Sequence, residues 1–159
     1  ALKKSLQNYQ LYFYNHFISL FRQKIGLLKR EEKDFELIEK ILNWLKEEKL
    51  DYTIFFRNFD KYVFGKTKFS WKEDYLARFT KEKISQKQCI EIIKAKNPKF
   101  ILRNYLAQNA IKKAEGGDFN EVEKLLVILK SPFSEHKKLE DYAKESPDWG
   151  KKLEISCSS

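Results

Sequence analysis

Two thiols, two imidazoles and one glycine-lysine-threonine run are the places where this sequence of 159 residues could do chemistry. Cys157 stands third from the end, in "KLEISCSS", and Cys89 stands inside "SQKQCIEIIK". Cysteine is among the residues most often buried, yet Cys157 lies where chains usually fray. The two thiols are far apart, and neither has a Cys or His at zinc-ligand spacing. His16 and His136 are equally isolated. A disulfide framework and a structural metal site are therefore not expected. The residues leave two uses open for Cys157. It is either a thiol carried to a distant partner, or a bystander in a tail that docks through Trp149, Leu153 and Ile155. Cys89 reads as a small apolar residue on a helix.

The run "FGKT" at Phe64–Thr67 resembles the end of a phosphate-binding loop. That motif needs a glycine five residues before Gly65, where this chain has Asp60, and a buried strand ahead of it. Carboxylates are plentiful but sit among lysines, and pairs such as Glu36 and Lys40 have the spacing of helix-surface ion pairs. Nothing marks the dry pocket that a catalytic carboxylate needs. Arg57–Asn58 and Arg103–Asn104 interrupt apolar stretches and are read as structural hydrogen-bonding pairs. Aromatics interleaved with Lys and Arg could stack on bases, but their three- and four-residue spacing favours core packing.

These groups must be positioned by helices. Leu2 to Ile25 repeats apolar residues (Leu6, Tyr9, Phe13, Phe17, Leu20, Phe21) at helical spacing, with Gly26 as its stop. Asp34 to Lys49 repeats the pattern. Asp51 caps a short helix in "LDYTIFFRNFDKYVF", preferred to a strand because no partner strands are in view. Ser70 is expected to cap the next helix with Glu73, and Ser85 the one through Ala95. Asn97 as cap and Pro98 as first helical residue predict a helix to Glu115, ended by Gly116 and Gly117. Asp118 then caps a helix whose buried stripe is Val122, Leu125, Leu126 and Leu129. A last short helix spans His136–Lys144, and the chain after Pro147 reads as extended. The fold class is all-α. A compact multi-helix domain over 1–146 is followed by an extended C-terminal tail, 147–159, that carries Cys157.

Composition sets the bounds. At 42% hydrophobic and 15% aromatic residues, the chain can bury a core despite 35% charged residues. No apolar run approaches the ~20 residues of a membrane span, and no secretory signal opens the chain. The net charge is +9, and Lys81 to Lys113 holds nine Lys/Arg against two Glu. Such a stretch could draw nucleic acid. A solvated lysine-rich surface accounts for it more simply, so neither nucleic acid nor a membrane is the expected partner. The rival reading is a basic nucleic-acid-binding or protein-interaction module with no enzymatic link. The chain begins at Ala1 and has no Met; it is expected to be a piece of a longer product.

Longer words of the sequence carry a resemblance. "NPKFILRNYLAQNAIKKAEGGDFNEVEKLL" and "SPFSEHKKLEDYAKESPDWGKKLEISCSS" resemble the end of the SelO (YdiU-like) family, the selenoprotein O-like pseudokinases. "LDYTIFFRNF" and "WKEDYLARF" resemble segments that precede it. The likeness covers nearly the whole chain, strongest from Asn97 to Ser159 and looser before Asp51. It implies a C-terminal helical region of a much longer protein adenylyltransferase. The upstream kinase-like core of that protein binds ATP with Mg or Mn and moves AMP onto Ser, Thr or Tyr hydroxyls of protein substrates. No segment here matches the core's Lys, Asp or Asn motifs, so no catalytic, cofactor-binding or metal-binding residue is carried over. One position is. The residue third from the family's end is selenocysteine or cysteine, here Cys157. The resemblance implies a redox role for it, through a disulfide with a cysteine of the core. A bacterial cytoplasmic location is expected.

Overall fold

Apolar residues at three- and four-residue spacing, with glycine and proline only between the runs, leave the backbone one way to satisfy its hydrogen bonds, the helix. The computed structural model describes residues 2–153 and shows nine α-helices, with no strand among those residues. They are α1 (Leu2–Lys24), α2 (Asp34–Glu47), α3 (Tyr52–Arg57), α4 (Phe59–Phe64), α5 (Lys72–Phe79), α6 (Gln86–Lys96), α7 (Asn104–Glu115), α8 (Asn120–Lys130) and α9 (Asp148–Lys151). Short 3-10 segments follow α5 at Thr80–Glu82 and α8 at Lys137–Ala143. The chain divides into two units, Ala1–Asn97 and Pro98–Ser159.

The first unit is built around aromatic rings. Phe55, Phe56, Phe59, Trp71 and Tyr75 are buried, with Trp44, Tyr62 and Phe69 packed against them. Phe59 and Phe69 each stack nearly parallel to Trp71, at centroid distances of 5.6 Å. Tyr75 meets Phe59 edge-on at 5.2 Å. Ring pairs of this kind each add about 0.5–1.5 kcal/mol beyond the area they bury. The buried Tyr75 hydroxyl donates to the Ile25 carbonyl at 2.7 Å, so its polar tip is satisfied.

The ends of these helices follow the sequence in part. The Asp51 carboxylate accepts from the Ile54 amide at 2.9 Å, and Ser85 with Gln88 forms a full capping box. Gly26 stops α1 with φ +75°. Ser70 does not cap α5. Trp71 occupies that position without a side-chain cap, because its indole is wholly buried in the aromatic cluster. Lys72 compensates from inside: its ammonium donates to the Gly65 and Thr67 carbonyls. The "GKT" run is thus a loop tied down by lysine, following a helix rather than a strand.

The largest correction falls at Asn97–Pro98. No helix begins there. Asn97 ends α6, with extended backbone as suits a residue before proline. Its buried amide donates to the Lys24 carbonyl at 2.7 Å and the Ile93 carbonyl at 2.8 Å. Residues 98–103 run without helix, and the Lys99 and Phe100 amides both donate to the Pro132 carbonyl. The helix begins only at Asn104.

The second unit encloses Phe100, Tyr105, Leu106, Ala110, Leu125 and Ile128. Its α8 is turned one position from expectation. Leu125 and Ile128 are buried, whereas Val122 and Leu126 are exposed. Asp118 accepts from the Asn120 amide at 3.0 Å, but Phe119 holds the cap position. The segment after Pro147 is not extended at first: it makes the short helix α9. Gly150 lies so close to Tyr105 that a Cβ there would sit 2.8 Å from the Tyr105 Cβ.

At Gly26 a Cβ would fall 2.4 Å from the Cys89 sulfur, in addition to the left-handed backbone. Gly26→Ala is expected to cost about 2–4 kcal/mol, from backbone strain and overpacking together. Urea unfolding should show this, with Cys89→Ala returning part of the loss in the double variant. Strictly additive losses would remove the sulfur contact from the explanation.

Candidate functional site

The densest group of buried charge lies in the first unit, where the α1–α2 connection meets α5. α2 starts at Asp34, whose carboxylate accepts from the Glu31 amide just ahead of the helix at 2.8 Å. Arg78 comes from α5 and Glu82 from the following 3-10 turn, four residues on and on the same face. The Arg78 guanidinium donates from Nε to Asp34 at 2.7 Å, from one terminal nitrogen to Glu82 at 2.8 Å, and from the other to the Lys29 carbonyl at 2.6 Å. Glu82 in turn accepts from the Leu28 amide at 3.0 Å and the Lys29 amide at 3.1 Å. Arg22 adds a contact of 3.7 Å to Asp34 and donates to the Leu28 carbonyl at 3.2 Å. Arg22, Asp34, Arg78 and Glu82 are all buried.

A cavity of about 450 Å³ opens beside this group, lined by Glu31, Glu36, Lys40, Asp74, Arg78 and Lys81 among others. Its walls are paired: Lys40 with Asp74 at 2.6 Å, and Lys81 with Glu31 at 2.6 Å. Lys40 thus turns to Asp74 on α5 for its hydrogen bond, not to Glu36 as the spacing suggested. The Lys81 hydrogen bond holds the exposed Glu31 carboxyl below the usual carboxylate range. With Glu31 and Asp74 paired to lysines and the Arg78 donors directed at Asp34, Glu82 and Lys29, the arrangement clamps a loop.

A second cluster lies within the second unit. Glu121 accepts from the Tyr142 hydroxyl at 2.6 Å, Lys124 at 3.0 Å and Lys113 at 3.1 Å. The Tyr142 hydrogen bond, then the lysines, lowers the Glu121 carboxyl to about 2. Burial, then the bond to Glu121, pushes the Tyr142 hydroxyl up to about 12.

The residues singled out from sequence are dispersed. Cys157 lies outside the described residues. Cys89 is wholly buried, 3.5 Å from the Tyr75 hydroxyl, and burial pushes its thiol up, away from the reactive thiolate. His16 is exposed on α1. His136 packs edge-on to Phe100, its Nε2 2.9 Å from the Ser131 hydroxyl. Arg57 is a structural residue as expected: it donates to the Lys94 and Asn97 carbonyls at 2.7 and 2.9 Å. Asn58 bonds the Ile54 carbonyl, and Asn104 the Leu153 carbonyl. Sequence reading missed the Arg78 group. The four-residue spacing of Arg78 and Glu82 was visible, but nothing local pointed to Asp34. Among the described residues no three His, Cys, Asp or Glu side chains are grouped to hold a metal ion, and no helix is long and apolar enough to cross a membrane.

Removing one partner from a buried ion group costs about 3–5 kcal/mol, because the other charges stay buried and unpaired. Arg78→Met should lose this much in urea unfolding followed by Trp44 and Trp71 fluorescence in a Trp149→Phe background. Adding Asp34→Asn and Glu82→Gln should restore a good part. If the triple variant is no more stable than Arg78→Met, the ionic account is wrong. In the second unit, Glu121 has a folded value near 2, below the ordinary 4.5. Its contribution is full above pH 4.5 and fades as pH falls toward 2. Tyr142, raised from 10 to about 12, contributes fully below pH 10 and loses its share as pH rises toward 12. An NMR titration of the Glu121 carboxyl should give a midpoint near 2 that moves toward 4.5 in Tyr142→Phe.

The comparisons with known proteins agree on one relationship. The family described as "Protein adenylyltransferase SelO" matches residues 1–130. The protein nucleotidyltransferase YdiU of Aliivibrio salmonicida is 38% identical over 170 residues, covering 99% of this chain and 35% of its own length. The proteins of the same name from Pseudomonas fluorescens and Vibrio vulnificus are 40% and 41% identical, covering 100% and 99% of this chain and 36% of their own lengths. This chain therefore spans about a third of the curated relatives it matches. The chain belongs to the SelO family.

Proposed function

We propose that this chain is the C-terminal, non-catalytic helical region of a SelO-type protein adenylyltransferase, supporting a kinase-like core that lies upstream. One observation carries the reading. The chain aligns with bacterial nucleotidyltransferases along 99–100% of itself but only 35–36% of them. The physical character of the buried charges supports it. Arg78, Asp34, Glu82, Arg57, Lys72 and Asn97 are spent on one another or on backbone groups, as scaffolding requires. In this reading ATP and Mg or Mn belong to the core, as do the residues that move AMP to a protein hydroxyl. The protein works in the bacterial cytoplasm. Cys157, beyond the described residues, serves as a redox-responsive thiol. With a cysteine of the core it forms a disulfide, and the two thiols give two electrons and two protons to an oxidant such as a peroxide.

Three samples test this: the 159-residue chain, the full gene product, and the gene product lacking these residues. Incubated with labelled ATP and Mg or Mn, only the full product should label proteins with AMP at its full rate. The truncated form should lose at least several degrees in melting temperature and much of the rate. Equal stability and rate with and without the region would remove the supporting role. Labelling by the 159-residue chain alone would remove the whole reading. Cys157→Ser should abolish any change in rate on peroxide treatment; an unaltered response would end the redox part alone.

A further inference from the structure

The N-terminal half of α1 carries more apolar surface than the first unit covers. Toward its C-terminal end the helix is well held: Ile18 is buried, and Phe17 and Phe21 pack on the aromatic core. Phe21 meets Phe56 edge-on at 5.9 Å. From there a row of rings runs outward along the helix. Phe17 and Phe21 are 4.6 Å apart, Phe13 and Phe17 6.3 Å, Tyr9 and Phe13 6.3 Å. The outer rings are bare: Tyr9 is 67% exposed, Tyr12 74% and Phe13 60%, with Leu11 at 60% beside them. The sequence reading put Tyr9 and Phe13 in a core stripe, and the first unit does not supply that core.

Two features select what covers this surface. First, Tyr9, Leu11, Tyr12, Phe13 and Tyr14 stand at almost consecutive positions, so at 3.6 residues per turn they point all round the helix. A helix that is apolar on every side is made to be enclosed, and a flat contact on one face leaves the rest wet. Second, residues 5–21 hold no Asp, Glu, Lys or Arg, so the body that encloses this stretch is apolar where it meets it. The relatives are nearly three times as long as the part this chain matches, so such a body has room in the same polypeptide.

Resting on the reading above, we infer that the Tyr9–Phe17 segment of α1 inserts into an apolar groove of the kinase-like core and is the main docking element between the two. Hydroxyl-radical footprinting tests this, read on the tryptic peptide of residues 5–22 in the 159-residue chain and in the full gene product. Tyr9, Tyr12 and Phe13 should be oxidised at least fivefold more slowly in the full product. Phe13→Asp should leave the melting of the 159-residue chain unchanged and lower that of the full product. Equal labelling in both proteins overturns the proposal. So does protection already present in the 159-residue chain that grows with its concentration, since the occupant is then a second copy. AMP transfer by the same full product reports separately on the parent reading. An active enzyme whose segment labels like the isolated chain defeats the docking alone, and an inactive protein with a protected segment leaves the docking standing.

Discussion

The first unit depends on one guanidinium. Arg78 reaches from α5 to the start of α2 and to the backbone of the loop between α1 and α2, and Glu82 closes the same loop from the other side. The cost of taking four charged side chains out of water is large. It is met here because nearly every polar atom has a specific partner, several of them backbone amides and carbonyls that would otherwise lie unpaired in a turn. The loop therefore has one conformation, and the two helices it joins have one relative placement. The aromatic cluster supplies the greater share of apolar burial, but rings alone can slide. Directed ionic hydrogen bonds fix which rings meet.

The same economy recurs at the ends of α4 and α6. Lys72 ties the loop before α5, Arg57 binds the carbonyls at the end of α6, and Asn97 joins that end to α1. In each case a long polar side chain inside the protein does what a local cap does elsewhere. Much of the buried charge here is thus committed to structural hydrogen bonds.

The sequence revealed the helices through spacing, and their caps where the cap is local, as at Asp51 and Ser85. It misled where a distant demand overrode a local signal. "NP" before an apolar run reads as a helix start, but the Asn97 amide is claimed by Lys24, seventy-three residues away in sequence. Ser70 reads as a cap, but burial of Trp71 sets the boundary. The stripe on α8 was read one position off because Leu125 fits both patterns; burial of Ile128 and the tether of Glu121 to Tyr142 mark the face that packs. Periodicity also cannot say what an apolar face packs against, so the α1 rings were assigned to a core that lies elsewhere. The Asp34–Arg78 pairing spans forty-four residues and left no mark in either neighbourhood. Membership of the SelO family was readable from long ordered words in the chain, which no count of spacing supplies.

The close fit of Gly26 against Cys89 has a consequence for the life of the molecule. The sulfur occupies a space with no room for even one further atom on the facing residue. A reagent, an oxygen or a second sulfur attached to it would have to push its neighbours aside in the native fold. Cys89 is thus silent while the first unit is intact and becomes available only in copies that have opened. An adduct gained there hinders the way back by the same crowding until it is reduced.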